Sequence, residues 1–274
     1  MFYPKGLAHR LELAFAAEQF RSIEINGTFY SLKRPEHFRR WFDETPDDFV
    51  FALKGSRYIT HMLKLTKLEK PLANFFGSGL LRLGHKLGPV LWQLPPQFRF
   101  DPDKLANFFD QLPRTTKQAA RLAKHHDHRI SGRSWLRTDA DRPIRHALEI
   151  RRDDFKCEAF IRLLRKHDIA LVVADTVGWP LLMDVTSDFV YVRLHGSEEL
   201  YASGYEDKAL NTWAARVAAW AKGGDARGPH ASTKPAPKAG KRDVFAYFDN
   251  DAKVRAPFDA LALHAKVRQK LRLR

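Results

Sequence analysis

The sequence predicts an α/β protein of the TIM (β/α)8-barrel type, and three observations favour this fold. Seven short runs rich in β-branched and aromatic residues recur along the 274 residues, nearly without charge until their ends, as expected of strands covered on both faces. Amphipathic segments separate these runs, which predicts right-handed crossovers and a parallel sheet. The early strands are not followed by the Gly-rich turn that is typical of an open dinucleotide-binding sheet.

The predicted strands and helices alternate along the chain. The strands are predicted at 22–26, 49–54, 89–94, 146–151, 169–175, 189–195 and 244–248. The helices are predicted at 35–44, 65–83, 102–112, 154–167, 207–221 and 258–271. Asp101 before Pro102 indicates a helix start, because a carboxylate caps the first amides and proline fits the first turn. Since a barrel of this type has eight strands, one strand is unaccounted for.

The composition bounds the class of protein and its partners. With 44% hydrophobic residues, the chain is globular, and we expect a single domain over 1–274. Its 47 Lys and Arg against 32 Asp and Glu give a net charge of +15, which predicts an anionic small molecule or nucleic acid as partner. The sequence indicates no organic cofactor, and it leaves a divalent metal and the oligomeric state open.

Most of the excess positive charge lies in two insertions that interrupt the alternation of strands and helices. Segment 114–145 contains nine Lys and Arg against three Asp, and segment 222–242 contains six against one. The sequence contains no apolar run long enough to span a bilayer and only one cysteine, Cys157. We therefore predict a cytoplasmic protein that does not contact a membrane.

Polar side chains gather at the carboxyl ends of the predicted strands, on one face of each. Because active sites of parallel barrels lie at those ends, we predict that the side chains meet around one pocket. Paired charges that only fill the barrel interior are the alternative. The strand-end residues are Glu24, Asn26, Lys54, Gln93, Glu149, Arg151, Asp175, Arg193, His195 and Tyr247.

The chemistry of these side chains predicts their roles. Imidazole titrates near neutrality and guanidinium binds oxyanions through two parallel hydrogen bonds, so His195 is the candidate acid or base and Arg193 a candidate anion ligand. Glu24, Glu149 and Asp175 are the candidate catalytic carboxylates, and the sequence does not choose among them. The other candidate substrate-binding residues are Asn26, Tyr30, Lys54, Arg57, Tyr58, His61, Gln93, Arg151, Tyr247 and Asn250.

Eight sequence blocks resemble the TIM-barrel family known as domain of unknown function 72 (DUF72, or YecE-like). The blocks are FYPKGL (2–7), EINGTFY (24–30), FALKGSRYITH (51–61), LGPVLWQLPP (87–96), LEIR (148–151), ALVVADT (170–176), DFVYVRLHG (188–196) and YFDNDAKVRAPFDA (247–260). The resemblance implies a TIM-barrel fold. It implies no particular reaction, because none is established for the family. It also implies site positions at Asn26, Phe29, Tyr30, Lys54, Arg57, Tyr58, His61, Gln93, Glu149, Arg151, Asp175, Arg193, His195, Asn250 and Asp251.

The sequence departs from the family pattern at two places. Similar proteins open with a strand carrying a Gly-Thr-Ser-Gly-Trp type motif, whereas this sequence begins after it, so the missing strand is the first. A barrel without one strand exposes two edges, and we expect either that the natural start lies upstream or that another segment fills the gap. Similar proteins also carry a His-Pro-Ser-Trp-like stretch where this sequence has 152–155 (RDDF).

Three further signals have structural alternatives. His125, His126 and His128 suggest a metal site, but adjacent histidines point in different directions on a helix, which favours solvated charge. Trp135 lies among arginines, where it would either stack on a nucleic-acid base or anchor the insertion to the barrel. Cys157 is predicted to be a packed thiol.

Three functions compete at this stage. The leading hypothesis is an enzyme that binds an anionic, phosphorylated or nucleic-acid substrate at the carboxyl ends of the strands. The second is a non-catalytic nucleic-acid-binding module, for which deleting 222–242 should abolish binding while His195→Ala should not. The third is a sugar isomerase or epimerase-like enzyme, suggested by the fold alone.

Overall fold

The computed structural model describes residues 1–196, 204–236, 239–250 and 254–272. Their contacts divide the chain into two compact units. The β1–β3 unit comprises Lys5–Pro95 and Asp101–Ala147, and the β5–β7 unit comprises Met1–Pro4, Pro96–Phe100 and Leu148–Arg274.

The β1–β3 unit is built from parallel strands with helices between them. Its elements are α1 (Glu12–Gln19), β1 (Ser22–Ile25), α2 (Gly27–Tyr30), α3 (Pro35–Asp43), β2 (Val50–Lys54), a π-helix (Tyr58–Met62), α4 (Glu69–Gly77), a 3₁₀ helix (Leu80–Lys86), β3 (Leu87–Gln93), α5 (Pro102–Asp110), α6 (Thr116–Ala123) and a 3₁₀ helix (His128–Ile130). Ile23 pairs with Phe51, and Lys54 pairs with Leu91. Large buried aromatic rings pack on the strands, among them Trp92 against Phe75 and Phe108.

The β5–β7 unit repeats the same alternation. Its elements are a 3₁₀ helix (Asp153–Phe155), α7 (Glu158–Lys166), β5 (Ala170–Asp175), β6 (Phe189–Leu194), α8 (Asp207–Ala221), β7 (Asp243–Phe248) and α9 (Ala256–Leu271). Strand β4 (His146–Glu149) begins before the boundary between the units and ends after it. Arg193 pairs with Ala174 on one side and with Tyr247 on the other. The core of this unit includes Trp213 and Trp220, both buried.

The strand order in the sheet is the order in the chain, β1 to β7. Every strand pairing described within the two units is parallel, as the sequence predicts. Each predicted strand is confirmed to within two residues at either end. The single domain over 1–274 and the upstream first strand stay predictions. None of the helices in the described ranges is long and apolar enough to cross a bilayer.

The sequence does not predict α1, α2 and α6, and two of the predicted helices differ from the structure. The helix predicted at 65–83 is two elements, because Gly79 adopts a φ of 120° after α4, a conformation that favours glycine. A Cβ atom there would lie 2.5 Å from the Cα of Pro35, so the break is also required by packing. The helix predicted at 154–167 begins as a 3₁₀ turn, and α7 starts only at Glu158.

Both basic insertions are fastened to their unit by specific contacts. In segment 114–145, the amide of Trp135 donates to the carbonyl of Gly77 in α4, and α6 buries Ala119 and Ala123. In segment 222–242, the amides of Ala231 and Ser232 donate to the carboxylate of Asp184. The described residues of both insertions are therefore part of the packed fold. Pro237 and Lys238 of segment 222–242 lie outside the described residues.

Candidate functional site

A buried charge cluster lies at the carboxyl end of β6 in the β5–β7 unit. Arg193 donates from Nη1 to Glu149 Oε2 at 2.6 Å and from Nη2 to Asp249 Oδ2 at 2.8 Å. Arg193 and Glu149 are fully buried, whereas the side chain of Asp249 is 25% exposed. Both carboxylates therefore neutralise one guanidinium, and Asp249 connects the cluster to solvent.

His195 lies between the same two carboxylates. Its Nδ1 is 3.3 Å from Asp249 Oδ2, and its Nε2 is 3.9 Å from Glu149 Oε2. The Nε2 atom is also 3.4 Å from Nη1 of Arg193. The alternation along β6 places Arg193 and His195 on one face, which is why the sequence could select both.

Arg151 forms the outer edge of this cluster. Its Nε donates to Glu149 Oε1 at 3.1 Å, and its guanidinium carbon lies 3.7 Å from the centre of the Trp179 ring. The ring of Trp179 also contacts the His195 ring edge-on, with centroids 5.1 Å apart. Within the described ranges, no side chain or carbonyl accepts from the two terminal nitrogens of Arg151. A guanidinium held in this way presents two donors for an oxyanion.

Asp175 lies beside the cluster, but its carboxylate is engaged with aromatic side chains. Its backbone carbonyl accepts from the amide of His195, and its Oδ2 accepts from Trp213 Nε1 at 3.1 Å. Burial, followed by the charge of Asp175, raises the pKa of Tyr205. Of the three carboxylates that the sequence left open, Glu149 is described in contact with His195.

The remaining site residues of this unit are held by packing and hydrogen bonds. Tyr247 packs against Tyr191 with ring centroids 5.2 Å apart. Asn250 is buried and donates from Nδ2 to Asp259 Oδ2 at 3.0 Å. Asp251, which the family resemblance implied, lies outside the described residues.

In the β1–β3 unit, Lys54 and His61 both contact Phe29. The ammonium of Lys54 lies 4.5 Å from the centre of the Phe29 ring, and the His61 ring meets Phe29 edge-on with centroids 5.1 Å apart. Tyr30 stacks edge-on against the same ring and is 68% exposed. Thr28 ties the turn after β1 to the end of β2, since its hydroxyl donates to the carbonyl of Lys54. Three predicted binding residues therefore gather around one buried phenyl ring.

The other predicted residues of this unit occupy different environments. Gln93 is buried at the end of β3, Glu24 is half-buried in β1, and Asn26 and Arg57 are exposed. Tyr58 lies under the guanidinium of Arg129, 5.6 Å from its carbon. The structure brings Glu149, Arg151, Arg193 and His195 together in a largely buried ion network. That the strand-end residues line one pocket stays a prediction, and paired charges that fill the interior stay the alternative.

Two residues of the charge cluster, Asp249 and Trp179, are not among the residues that the sequence predicts for the site. Asp249 follows β7 directly, and its amide donates to the carbonyl of Leu194. Extending the strand-end argument by one residue past β7 would have found it. Trp179 lies in an irregular segment between β5 and β6, where no periodic pattern reports which side chains it contacts.

The other predicted signals resolve into structural contacts. Asp127, in the His-rich stretch, accepts from Asn74 Nδ2, and Lys70 donates to the carbonyl of His125. Across the described part of the chain, no three His, Cys, Asp or Glu side chains are grouped as metal ligands. Cys157 is partly exposed at the start of α7.

In comparisons with known proteins, a family model matches nearly the whole chain and curated relatives match little more than a third of it. A family model described as "Protein of unknown function DUF72" matches residues 1–273. The UPF0759 protein YecE of Escherichia coli K12 is 33% identical over 100 residues, which is 35% of this chain and 36% of YecE. The UPF0759 protein YunF of Bacillus subtilis is 28% identical over 109 residues, which is 38% of this chain and 39% of YunF. The alignments thus span little more than a third of these curated relatives.

Solved structures of the same family resemble the chain as a whole. A DUF72 family protein from Thermotoga maritima superposes with a TM-score of 0.70 at 23% identity, covering 97% of this chain and 92% of that one. A DUF72 family protein from Enterococcus faecalis gives a TM-score of 0.67 at 15% identity, covering 96% of this chain and 88% of that one. These likenesses confirm the predicted α/β fold of TIM type.

Proposed function

We propose that this chain, which belongs to the DUF72 family of proteins of unknown function, is an enzyme for a small anionic substrate. Arg151 binds a carboxylate or phosphate group of that substrate, and His195 takes up or releases a proton in the reaction. Asp249 and Glu149 hold the histidine and balance its charge. The net charge of +15 favours an anion as the ligand.

The geometry of Arg151 carries this proposal. The Nε–Glu149 hydrogen bond and the ring of Trp179 fix the guanidinium plane. The side chain is 13% exposed, so its terminal donors are partly shielded from water, which strengthens their attraction to an anion. Two parallel donors match the oxygen spacing of a carboxylate or phosphate.

The surroundings of His195 support acid–base chemistry. The imidazole lies 3.3 Å from Asp249 Oδ2 and 3.9 Å from Glu149 Oε2, so carboxylates that could exchange a proton with it are close by. The side chain of Asp249, which lies 3.3 Å from His195 Nδ1, is 25% exposed and so brings solvent close to the histidine. Removing charged groups from water is costly, so a buried ion network adds little to the stability of the fold. The presence of such a network therefore favours a functional role.

Ligand binding tests the role of Arg151. Inorganic phosphate and a panel of short carboxylates and sugar phosphates are screened for an increase in melting temperature of the wild-type protein. Ligands found in this way should not stabilise Arg151→Gln, and they should still stabilise Arg152→Gln. Arg152 is a matched control because it is the next residue and pairs with Asp154 instead.

Calorimetric titration below the melting temperature separates lost binding from lost stability. If Arg151→Gln is folded and binds the ligands as tightly as the wild type, the proposal is wrong. Arg151→Lys should bind weakly, because an ammonium keeps the charge but not the two parallel donors.

Turnover tests the role of His195. Each ligand that binds is incubated with the protein and followed by proton NMR for conversion. His195→Asn should bind the same ligands and convert them about 100- to 10,000-fold more slowly. Conversion at the wild-type rate by this variant would refute the assignment of His195 as the acid or base.

A further inference from the structure

Part of the basic insertion lies along α4 and is fixed to it at three points. Lys70 donates to the carbonyl of His125 at 2.9 Å, Asn74 exchanges two hydrogen bonds with Asp127, and the amide of Trp135 donates to the carbonyl of Gly77 at 2.8 Å. Seven residues of α-helix separate the first and last of these contacts, which corresponds to about 10 Å. The segment from His125 to Trp135 is therefore held in place along one helix.

Each carboxylate of this insertion is paired or hydrogen-bonded with a residue of the insertion itself. Asp127 pairs with Arg129, and Asp139 accepts two hydrogen bonds from Arg142. Hydrogen bonds from Arg142 lower the pKa of Asp139 to about 2, so this pair stays neutralised near neutral pH. Asp141 accepts from the amide of Lys117.

Three guanidiniums of the same region keep their charge uncompensated. Arg82, Arg133 and Arg137 form no ion pair with a carboxylate in the described ranges. Arg133 instead donates to the carbonyl of Arg129 at 2.8 Å, which orients it. Arg137 is exposed, and Arg82 and Arg133 are half-buried.

The ring of Trp135 lies against two of these cations. The guanidinium carbons of Arg82 and Arg137 lie 4.5 Å and 4.6 Å from the centre of the Trp135 ring. Such cation–π contacts hold the guanidinium and the ring in fixed relative positions. The sequence left open whether Trp135 anchors the insertion or stacks on a base. Its backbone anchors the insertion, and its ring is flanked by unpaired cations.

We infer that this Arg–Trp surface (Arg82, Arg133, Trp135 and Arg137) binds single-stranded nucleic acid. The guanidiniums would contact successive phosphates, and bases would stack on the guanidinium planes that the Trp135 ring holds in place. The stacked guanidiniums and the Trp135 ring favour a single strand, because a duplex keeps its base faces stacked inside. The surface lies in the β1–β3 unit, whereas Arg151 and His195 lie in the β5–β7 unit, so the inference does not rest on the proposed enzyme activity.

Fluorescence anisotropy with a labelled oligothymidylate tests this inference on the full-length protein. Arg137→Gln and Arg82→Gln should each weaken binding, and each should reduce the slope of log affinity against log salt by about 0.7. Arg162→Gln is the control, because Arg162 is an exposed arginine of α7 without a described ion pair. If this variant weakens binding as much as Arg137→Gln, the surface is not the site.

Substitutions of Trp135 distinguish the contribution of stacking to binding from that of charge, because they leave every arginine in the sequence. Trp135→Leu should lower the affinity roughly 5- to 100-fold, and Trp135→Phe should restore part of it. Circular dichroism confirms that each variant is folded. Unchanged affinity of a folded Trp135→Leu would overturn the inference, as would equally tight binding of a duplex or of inorganic polyphosphate, since either result indicates a site for polyanions in general.

The small-anion site and the nucleic-acid surface can be tested independently of each other. Arg151→Gln should keep its affinity for the oligothymidylate, and Arg137→Gln should keep its response to the small anions. Loss of oligothymidylate binding in Arg151→Gln would place the nucleic-acid contact at the charge cluster and refute a separate surface.

Discussion

Protonation of His146 should destabilise the protein as the pH falls below neutrality. The ring is completely buried in β4. Its Nδ1 faces Nε1 of Trp92 at 3.2 Å, and its Nε2 lies 2.9 Å from the carbonyl of Pro113. Because the indole nitrogen only donates, the neutral ring with its proton on Nε2 is the form that satisfies both neighbours.

The size of the expected loss of stability follows from the shift in the pKa of His146. Burial, and then the charge of Arg114, lower the pKa of His146 from 6.5 to about 3, against the opposing hydrogen bond to Pro113. The pKa is lower in the folded state than in the unfolded state, so the unfolded chain binds more protons between about pH 3 and 6.5. Stability therefore falls as the pH falls through that window. From pH 7.5 to 5.0 we expect a loss of about 2 kcal/mol from this residue.

Urea unfolding at both pH values measures this loss. The wild type is compared with His146→Gln, whose amide does not titrate and can accept from Trp92 while donating to Pro113. Other titrating groups are the same in both proteins, so the difference in their pH dependence isolates His146. If the two proteins lose the same stability to within about 0.5 kcal/mol, the reasoning about the buried imidazole is wrong.

Two further substitutions test packing in the β1–β3 unit by urea unfolding. Gly55→Ala places a Cβ atom 2.3 Å from the Trp92 ring and should cost about 1–3 kcal/mol, whereas Gly178→Ala meets no atom within 4 Å and should be neutral. Lys86→Met should cost about 2 kcal/mol, since it removes the donor to buried carbonyls such as that of Thr45. Equal stability of Gly55→Ala and Gly178→Ala, or an unchanged Lys86→Met, would contradict these expectations.

The sequence predicts the strands well because their signal is local. Runs of β-branched and aromatic residues mark all seven strands, and the alternation along β6 places Arg193 and His195 on one face. Helix α6 is not predicted, although its sequence is amphipathic. Its buried face consists largely of Ala119, Ala120 and Ala123, and the helix lies within segment 114–145, which is interpreted as a basic insertion that interrupts the alternation of strands and helices.

The candidate site is less predictable because long side chains choose their partners in three dimensions. The sequence selects Asp175 as a candidate carboxylate from its position at the end of β5, but Trp213 of α8 engages it. It passes over Asp249, whose contact with Arg193 depends on the reach of a guanidinium across neighbouring strands. Strand position therefore predicts which residues lie near the site, and packing decides which of them act on one another.

The two basic insertions show why charge counted along a sequence is not charge presented to a partner. In segment 222–242, Arg242 is buried and donates to the carbonyl of Gly224, and burial lowers its pKa. Ala226 of the same segment belongs to the hydrophobic core, so deleting 222–242 removes packing together with charge. That deletion, which the sequence suggested as a test of nucleic-acid binding, therefore tests folding as well. Single substitutions such as Arg137→Gln remove charge from an exposed position and leave the core in place.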